Sequence, residues 1–552
     1  MNRVNPNIAA PFVEMAMARG EETAVAHQKK SGYEVITFAD LEKETAQLAS
    51  ALSDFGIGRG TKTVLMVRPS IKFIAVTFAL FRVGAVPVFI DPGMGVDNFL
   101  NCVRQVEPEG FIGVTKAHVM RLMYKKDFKS VKHLVTIGRK FFWGGLTYTD
   151  LIKAGSDSFD TVTTDSSDTA AIIFTTGSTG PPKGVTYTHD MFNMQRDTIK
   201  NSYGISPGDV DLSAFPLFAL FSVSLGMKSV IPDMDPTAPA DVDPEKIINA
   251  VNEQKATFTF GSPAIWDNVS RHAVEFGLKL PTLKKVLMAG APVRREIHER
   301  LLTKILPDDA ETHTPYGATE SLPIADMTGS EVLAETGEET AQGAGICVGR
   351  PLPGSDIKVI KIDDGEIPVW NDGNIVADGD KGEIVVKSRV ASASYYGLEK
   401  HTAMAKISDG DSFRHRMGDI GYFDNKGRLW FCGRKGHRVI TTTKTLYSIC
   451  TEAIFNQHPD VRRSALVGLG LIENGNQRPI IIIELKPDKS DVDKDRLSAE
   501  LIELGSKHEV SSMIKDVLYY ELFPTDIRHN AKIFREKLKS WAEDELSELI
   551  PT

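Results

Sequence analysis

Ten consecutive residues, Thr175 to Gly184, read Thr-Thr-Gly-Ser-Thr-Gly-Pro-Pro-Lys-Gly. Thr175, Thr176, Ser178 and Thr179 supply hydroxyls. Gly177 and Gly180 let the backbone approach an anion closely and turn several N–H groups toward it. Lys183 adds a mobile positive charge, so the stretch has the chemistry a triphosphate requires. It is not a Walker A loop, in which the lysine opens a helix and is followed by Ser or Thr. Here Lys183 lies between Pro182 and Gly184. The apolar run Ala171–Phe174 before it and the alternating run Val185–Thr188 after it predict strands, so the loop joins strand to strand and uses no helix dipole.

The segment resembles the phosphate loop of the adenylate-forming superfamily, which includes acyl-CoA synthetases, peptide-synthetase adenylation domains and beetle luciferases. The resemblance implies an enzyme that uses ATP and Mg²⁺ to join a carboxylate to the α-phosphate and release pyrophosphate. Later blocks are similar to the family's other signatures, in the expected order. In His313-Thr-Pro-Tyr-Gly-Ala-Thr-Glu320, Tyr316 can stack on adenine, Gly317 forms the turn, and Thr319 can bond a phosphate oxygen. Glu320 is the candidate Mg²⁺ ligand. Gly290-Ala291-Pro292 resembles the turn that contacts adenine. Asp419, in His415-Arg-Met-Gly-Asp419, would accept from both ribose hydroxyls, with Met417 standing where the family has threonine. Arg434 would contact ribose or phosphate. Asn530-Ala-Lys532-Ile-Phe-Arg535 sits where the family carries Gly-Lys-x-x-Arg, and Lys532 would stabilise charge building up during adenylation. The implied catalytic set is therefore Lys183, Thr319, Glu320 and Lys532.

The superfamily leaves the second half-reaction open. Ala219 follows Phe215-Pro-Leu-Phe218 where coenzyme A ligases usually have histidine, and Thr443 falls where they usually keep a glycine. The blocks Phe215–Phe221, Val230–Thr237, Thr314–Glu320, His415–Asp419 and Ile527–Lys532 instead resemble the β-lactone synthetases of bacterial long-chain olefin biosynthesis. That resemblance implies a 2-alkyl-3-hydroxy fatty acid substrate whose own hydroxyl displaces AMP. It also implies assembly with the β-lactone decarboxylase and reductase of the same route. A thioester-forming acyl-CoA ligase and a nucleotide-binding scaffold without turnover are the alternatives.

Composition narrows the classes. The chain has 552 residues, 42% hydrophobic and 25% charged, with a net charge of −9. That acidic balance argues against a general nucleic-acid partner. Four scattered cysteines make no C-x-x-C pair and predict buried thiols. The N-terminus lacks a signal-peptide pattern, and the longest apolar run, Phe73–Phe81, is too short to cross a bilayer. The expectation is a cytoplasmic protein without a transmembrane segment.

The elements that must hold these residues read as α/β. Phe38–Leu52 has helical spacing, Thr63–Val67 is a strand, Ser70–Phe81 a helix and Pro87–Ile90 a strand, which is a parallel βαβ pattern. The alternation runs on to a helix at Arg294–Leu306. Gly329–Gly345, acidic and poor in bulky residues, predicts an exposed loop. Short strands at Ile357–Ile362, Glu383–Lys387 and Arg428–Cys432 predict a small β-subdomain. The expected organisation is an AMP-binding domain over residues 1–433 and a mobile C-terminal α/β domain over 434–552. Phe218, Phe221 and Leu225 are candidates for either an acyl pocket or plain core.

Overall fold

The computed structural model describes residues 5–175, 181–470, 475–525 and 533–548. Two seven-stranded sheets form the body. The first runs Leu146–Thr147, His133–Ile137, Gly110–Val114, Lys62–Met66, Val86–Phe89, Thr169–Thr175, Lys183–Thr188. It is parallel except at its last pair, where Thr175 lies opposite Lys183. The second runs Glu311–His313, Lys285–Met288, Phe258–Gly261, Val210–Leu212, Lys228–Ile231, Thr23–Gln28, Tyr33–Thr37, with an antiparallel edge formed by the last two strands. Parallel strands need helical crossovers that cover both faces, which explains their near-continuous apolar composition.

Those helices carry the core between the sheets. The helix Ile71–Arg82 begins where the Ser70 hydroxyl accepts from the Phe73 N–H at 3.2 Å, a side-chain cap on an otherwise orphaned donor. Every residue in it except Lys72 is buried. Phe78 stacks on Phe12 of the helix Ala10–Ala18, with ring centroids 4.5 Å apart. Burying a phenylalanine of this kind contributes about 1.5–3 kcal/mol. Arg82 closes the same helix: its guanidinium, 2% exposed, bonds Glu42 at 2.7 Å and Thr45 at 2.9 Å on the helix Phe38–Asp54. A buried cation stays only when paired in this way.

A third sheet of eight strands is antiparallel and packs over the site. Its strands Ser412–Phe423 and Leu429–Arg434 put Asp419 opposite Arg434, and Lys406–Asp409 adds at the side with Lys406 opposite His415. Arg416 and Glu383, at most 2% exposed, form an ion pair at 2.7 Å inside it, and Lys435 joins Glu383 at 3.1 Å. Beyond Arg434 a ribbon, Val439–Ile440 with Thr445–Leu446, leads to a three-stranded sheet, Val461–Leu469, Arg478–Leu485 and Asp516–Tyr519. Helices Ser448–Phe455, Lys494–Ser506 and Arg535–Glu548 accompany that sheet.

Two sequence expectations need correction. Residues 329–341 form no exposed loop. They are helical turns, Gly329–Glu331, Val332–Thr336 with π geometry, and Gly337–Ala341. Thr328 caps the first turn, and Gly329 sits so close to Thr312 and His298 that a Cβ there would lie 1.9 Å from the Thr312 hydroxyl. Tertiary packing outweighs the weak local preference. The helix expected over Arg294–Leu306 is α-helical only at Arg295–Arg300 and continues as a π turn, Leu301–Ile305. All four cysteines are buried and free, as composition suggested.

Candidate active site

A cavity of about 1840 Å³ runs between the three large sheets. It exceeds the ~300–1,000 Å³ of ordinary small-ligand pockets and has room for a nucleotide and a long chain together. One end is polar. Thr175 and Lys183 reach it from the paired strands of the first sheet. Gly317 reaches it from the strand Tyr316–Ala318, Thr319 and Glu320 from the turn between that strand and Ser321–Asp326, and Arg434 from the end of Leu429–Arg434. Gly317 is fixed by space, since a Cβ there would lie 2.4 Å from the Ser321 carbonyl oxygen. Gly290 lines the wall with φ of +94°, a conformation that favours glycine. Its neighbours Ala291 and Pro292 do not line the cavity, so of the predicted adenine turn only the glycine faces it.

Tyr316 and Asp419 stand just behind this wall. The Tyr316 hydroxyl donates to Asp419 Oδ2 at 2.7 Å, and Arg434 Nη1 lies 2.8 Å from Asp419 Oδ1. Burial pushes the Asp419 carboxyl above the usual carboxylate range, although Arg434 and Tyr316 both favour its charged form. Arg434 is held above its ordinary value by Asp419. Tyr316 thus holds the carboxylate from behind, while Met417, the residue in threonine's place, is 4% exposed and packs into the β-subdomain core. Thr176, Gly177, Ser178, Thr179, Gly180 and Lys532 lie outside the described residues.

The structure adds partners that motif reading missed. The Tyr395 hydroxyl donates to Glu320 Oε1 at 2.7 Å, and the Lys183 ammonium lies 5.2 Å from the centroid of the same ring. Tyr395 therefore stands between the two charged candidates. The Tyr187 hydroxyl donates to the Thr319 carbonyl at 2.5 Å and fixes the turn. Lys406 is half-buried beside His415, with Nζ 3.0 Å from Nδ1, and also donates to the Ser392 carbonyl. Burial lowers the Lys406 amine to about 7, opposed by Glu320. His415 lines the cavity, and burial with the neighbouring Lys406, Arg434 and Lys183 charges holds it well below its usual value. His415 stood inside a quoted motif, but neither Lys406 nor Tyr395 has local spacing that could have flagged it.

The other end is apolar. Phe73, Phe78 and Phe81 come from one helix, Phe192 from His189–Ser202, and Phe218 and Phe221 from Phe218–Ser224. Leu225, the third aromatic-region candidate, packs in the core with Phe218 and Phe258 and does not line the cavity. Beneath this helix Asp211 is fully buried, bonded by the Ser213 hydroxyl at 2.5 Å and the Ser222 hydroxyl at 2.6 Å, and burial raises its carboxyl to about 7. The arrangement can place a charged phosphate chain at one end and a hydrocarbon chain at the other, with the reacting carboxylate between them. Among the described residues no group of three or more His, Cys, Asp and Glu could hold a metal alone. Magnesium commonly takes one or two carboxylates plus substrate phosphates, and Glu320 in the wall fits that requirement.

Comparison with known proteins agrees with this geometry. The profile of the AMP-binding enzyme family matches residues 12–396. The chain is 42% identical to an olefin beta-lactone synthetase of Xanthomonas campestris pv. campestris, covering 97% of each chain. It is also 42% identical to a protein of the same name from Stenotrophomonas maltophilia, covering 98% of each. The crystal structure of ATP-bound MatB from Rhodopseudomonas palustris superposes with a TM-score of 0.79 at 19% identity, over 98% of this chain and 99% of that one. The match over most of the length, with near-complete coverage of both relatives, shows that the chain belongs to the AMP-binding enzyme family.

Proposed function

We propose that this enzyme adenylates a long-chain 2-alkyl-3-hydroxy fatty acid with ATP, and that the acid's own 3-hydroxyl then displaces AMP to give a β-lactone. The observation that carries the reading is the 42% identity along almost the whole chain to proteins named olefin beta-lactone synthetase. The cavity, cationic at one end and phenylalanine-lined at the other, supports it.

The roles proposed for the residues are those implied by the family resemblance, supported for the described ones by their place at the cavity. Thr175 through Gly180 and Lys183 hold the β- and γ-phosphates. Gly290 borders the base, and Arg434 with Asp419, which Tyr316 holds from behind, receives the ribose. Glu320 would hold Mg²⁺, whose chemistry there is to offset the charge of the triphosphate. Thr319 bonds the α-phosphate, and Lys532 stabilises the charge that builds up as the carboxylate oxygen bonds to the α-phosphorus and pyrophosphate leaves. In the second step the hydroxyl oxygen bonds to the acyl carbon as it loses its proton, and the bond to AMP breaks. An internal nucleophile carries an effective molarity on the order of 10⁵–10⁸ M, which helps offset the strain of a four-membered ring. The apolar walls limit water that would hydrolyse the mixed anhydride.

Residues 434–552 are read as a mobile domain that delivers Lys532 by rotating about the segment after Gly433. That glycine has φ of +132° and a Cβ there would lie 2.4 Å from the Ser448 hydroxyl. The enzyme is placed in the cytoplasm, acting beside the decarboxylase and reductase of olefin formation. Mass spectrometry after incubation with a 3-hydroxy acid, ATP and Mg²⁺, with and without coenzyme A, tests the reading. A β-lactone formed without coenzyme A is expected. A thioester as main product, formed only with coenzyme A, would overturn it.

A further inference from the structure

One surface on the flank of the first sheet combines basic and exposed apolar side chains. Between Thr115 and Trp143 the chain carries eight lysines and arginines and a single acid, Asp127, in a protein whose net charge is −9. Asp127 is already ion-paired with Arg104. Lys116, Lys125, Lys126 and Lys129 are exposed and have no ion-pair partner among the described residues. Apolar groups stand among these cations. The helix Thr115–Met123 shows Val119 and Met123 to solvent, Met123 at 73% exposure. The loop after His133–Ile137 shows Phe141 and Phe142, the latter at 87%.

The two parts are built as one surface. Trp143 is buried, stacks on His118 of the helix with centroids 5.2 Å apart and planes 7° apart, and donates to the Thr136 hydroxyl at 3.0 Å. Phe141 and Phe142 both pack edge-on against Trp143, at 5.5 and 5.9 Å. The loop is therefore anchored to the helix by its tryptophan, and its phenylalanines are left outside. On the helix, Lys116, Val119 and Met123 share a face by their spacing. The surface also meets the site: exposed Lys116 and half-buried Met120 line the large cavity, so one of its openings lies at this helix.

We propose that this face docks on an anionic lipid bilayer, with Phe141, Phe142, Val119 and Met123 entering the headgroup boundary and the lysines meeting lipid phosphates. Basic residues interspersed with exposed aromatic and aliphatic side chains are the composition of interfacial anchors. Neither component alone gives firm attachment, and here both are present. Docking at the cavity opening would let an amphiphilic acid pass from the bilayer without crossing water. The inference does not depend on whether the product is a lactone or a thioester.

Cosedimentation of the full chain with vesicles tests it. The protein is expected to pellet with vesicles of phosphatidylglycerol and phosphatidylcholine, to remain in the supernatant with phosphatidylcholine alone, and to be released by high salt. Lys125→Glu/Lys126→Glu and Phe141→Ser/Phe142→Ser, which change exposed side chains and leave the His118–Trp143 stack in place, should each weaken vesicle binding at least tenfold. Pyrophosphate release with a short soluble acid should be unchanged in both. Wild-type protein that stays in the supernatant with anionic vesicles, as it would if this face bound a protein or a nucleic acid instead, would overturn the proposal. So would variants that pellet as wild type does.

Discussion

The two ends of the cavity are built by opposite rules. At the apolar end, six phenylalanines come from three helices, and those on Ile71–Arg82 repeat at helical spacing within one short segment. Each stabilises the fold by leaving water, and each is exchangeable in principle for another group of similar volume. At the polar end, Lys183, Lys406, His415 and Arg434 come from strands of two different sheets, Glu320 from a turn, and Tyr395 from a connecting segment bridged to Val185. Burial there works against the charged forms, as the lowered Lys406 and raised Asp419 values show, and the geometry survives because Glu320, Lys406, Asp419 and Arg434 each have a partner at hydrogen-bond distance. The apolar end stabilises the protein and tolerates variation. The polar end costs stability and is specified atom by atom, as expected of a site that trades stability for chemistry.

The contrast can be broken most forcefully at Phe78. Phe78→Ala should lower the unfolding free energy by about 3–5 kcal/mol in urea titration, because the ring is fully buried and stacked on Phe12. A change below ~1 kcal/mol would mean that the apolar wall is not core. Lys532→Ala should do the reverse. Adenylate formation, read as pyrophosphate release, should fall at least a hundredfold, which is about 2.7 kcal/mol of barrier, while ATP still binds and the melting temperature holds.

Lys406→Met probes the cost of the polar end. The buried amine titrates near 7 in the folded chain against 10.5 when exposed. Between those values the unfolded chain binds the extra proton, so this lysine costs stability that is greatest at and below pH 7 and disappears as pH rises past 10.5. The variant should therefore be more stable than wild type at pH 7, by at most about 5 kcal/mol, with the gain shrinking toward pH 10, and its activity should fall. A lower melting temperature at pH 7 would reverse the comparison. The smallest effect is expected for Tyr316→Phe, which removes one donor from Asp419. It should raise the KM for ATP several-fold, about 1 kcal/mol, with little change in stability.

Much of this is legible in the sequence itself. The strand-to-strand phosphate loop was readable because Ala171–Phe174 and Val185–Thr188 have period-two or continuous apolar patterns, and the structure pairs them antiparallel with Thr175 opposite Lys183. The βαβ pattern at Thr63–Ile90 was readable for the same reason. The turns at 329–341 were not, because an acidic, small-residue segment has little intrinsic helicity and is held by Thr328 and by close packing on His298 and Thr312. Of the residues expected to form the adenine turn, Gly290 lines the cavity and its two neighbours do not.

What the sequence determined by itself is the chemistry on offer: hydroxyls, glycines, a lysine and a carboxylate in an order that suits a triphosphate, and apolar periods that dictate α/β layers. These are local properties, written within ten or twenty residues, where side-chain type and backbone period decide the outcome. Only the tertiary structure decided which of those groups meet. Tyr395 reaches Glu320 across 75 residues of chain, Tyr316 reaches Asp419 across 103, and Lys406 finds His415 only because two strands pair in that register. Contacts of this kind arise from the packing of whole sheets, and no short window of residues contains the energy that selects them.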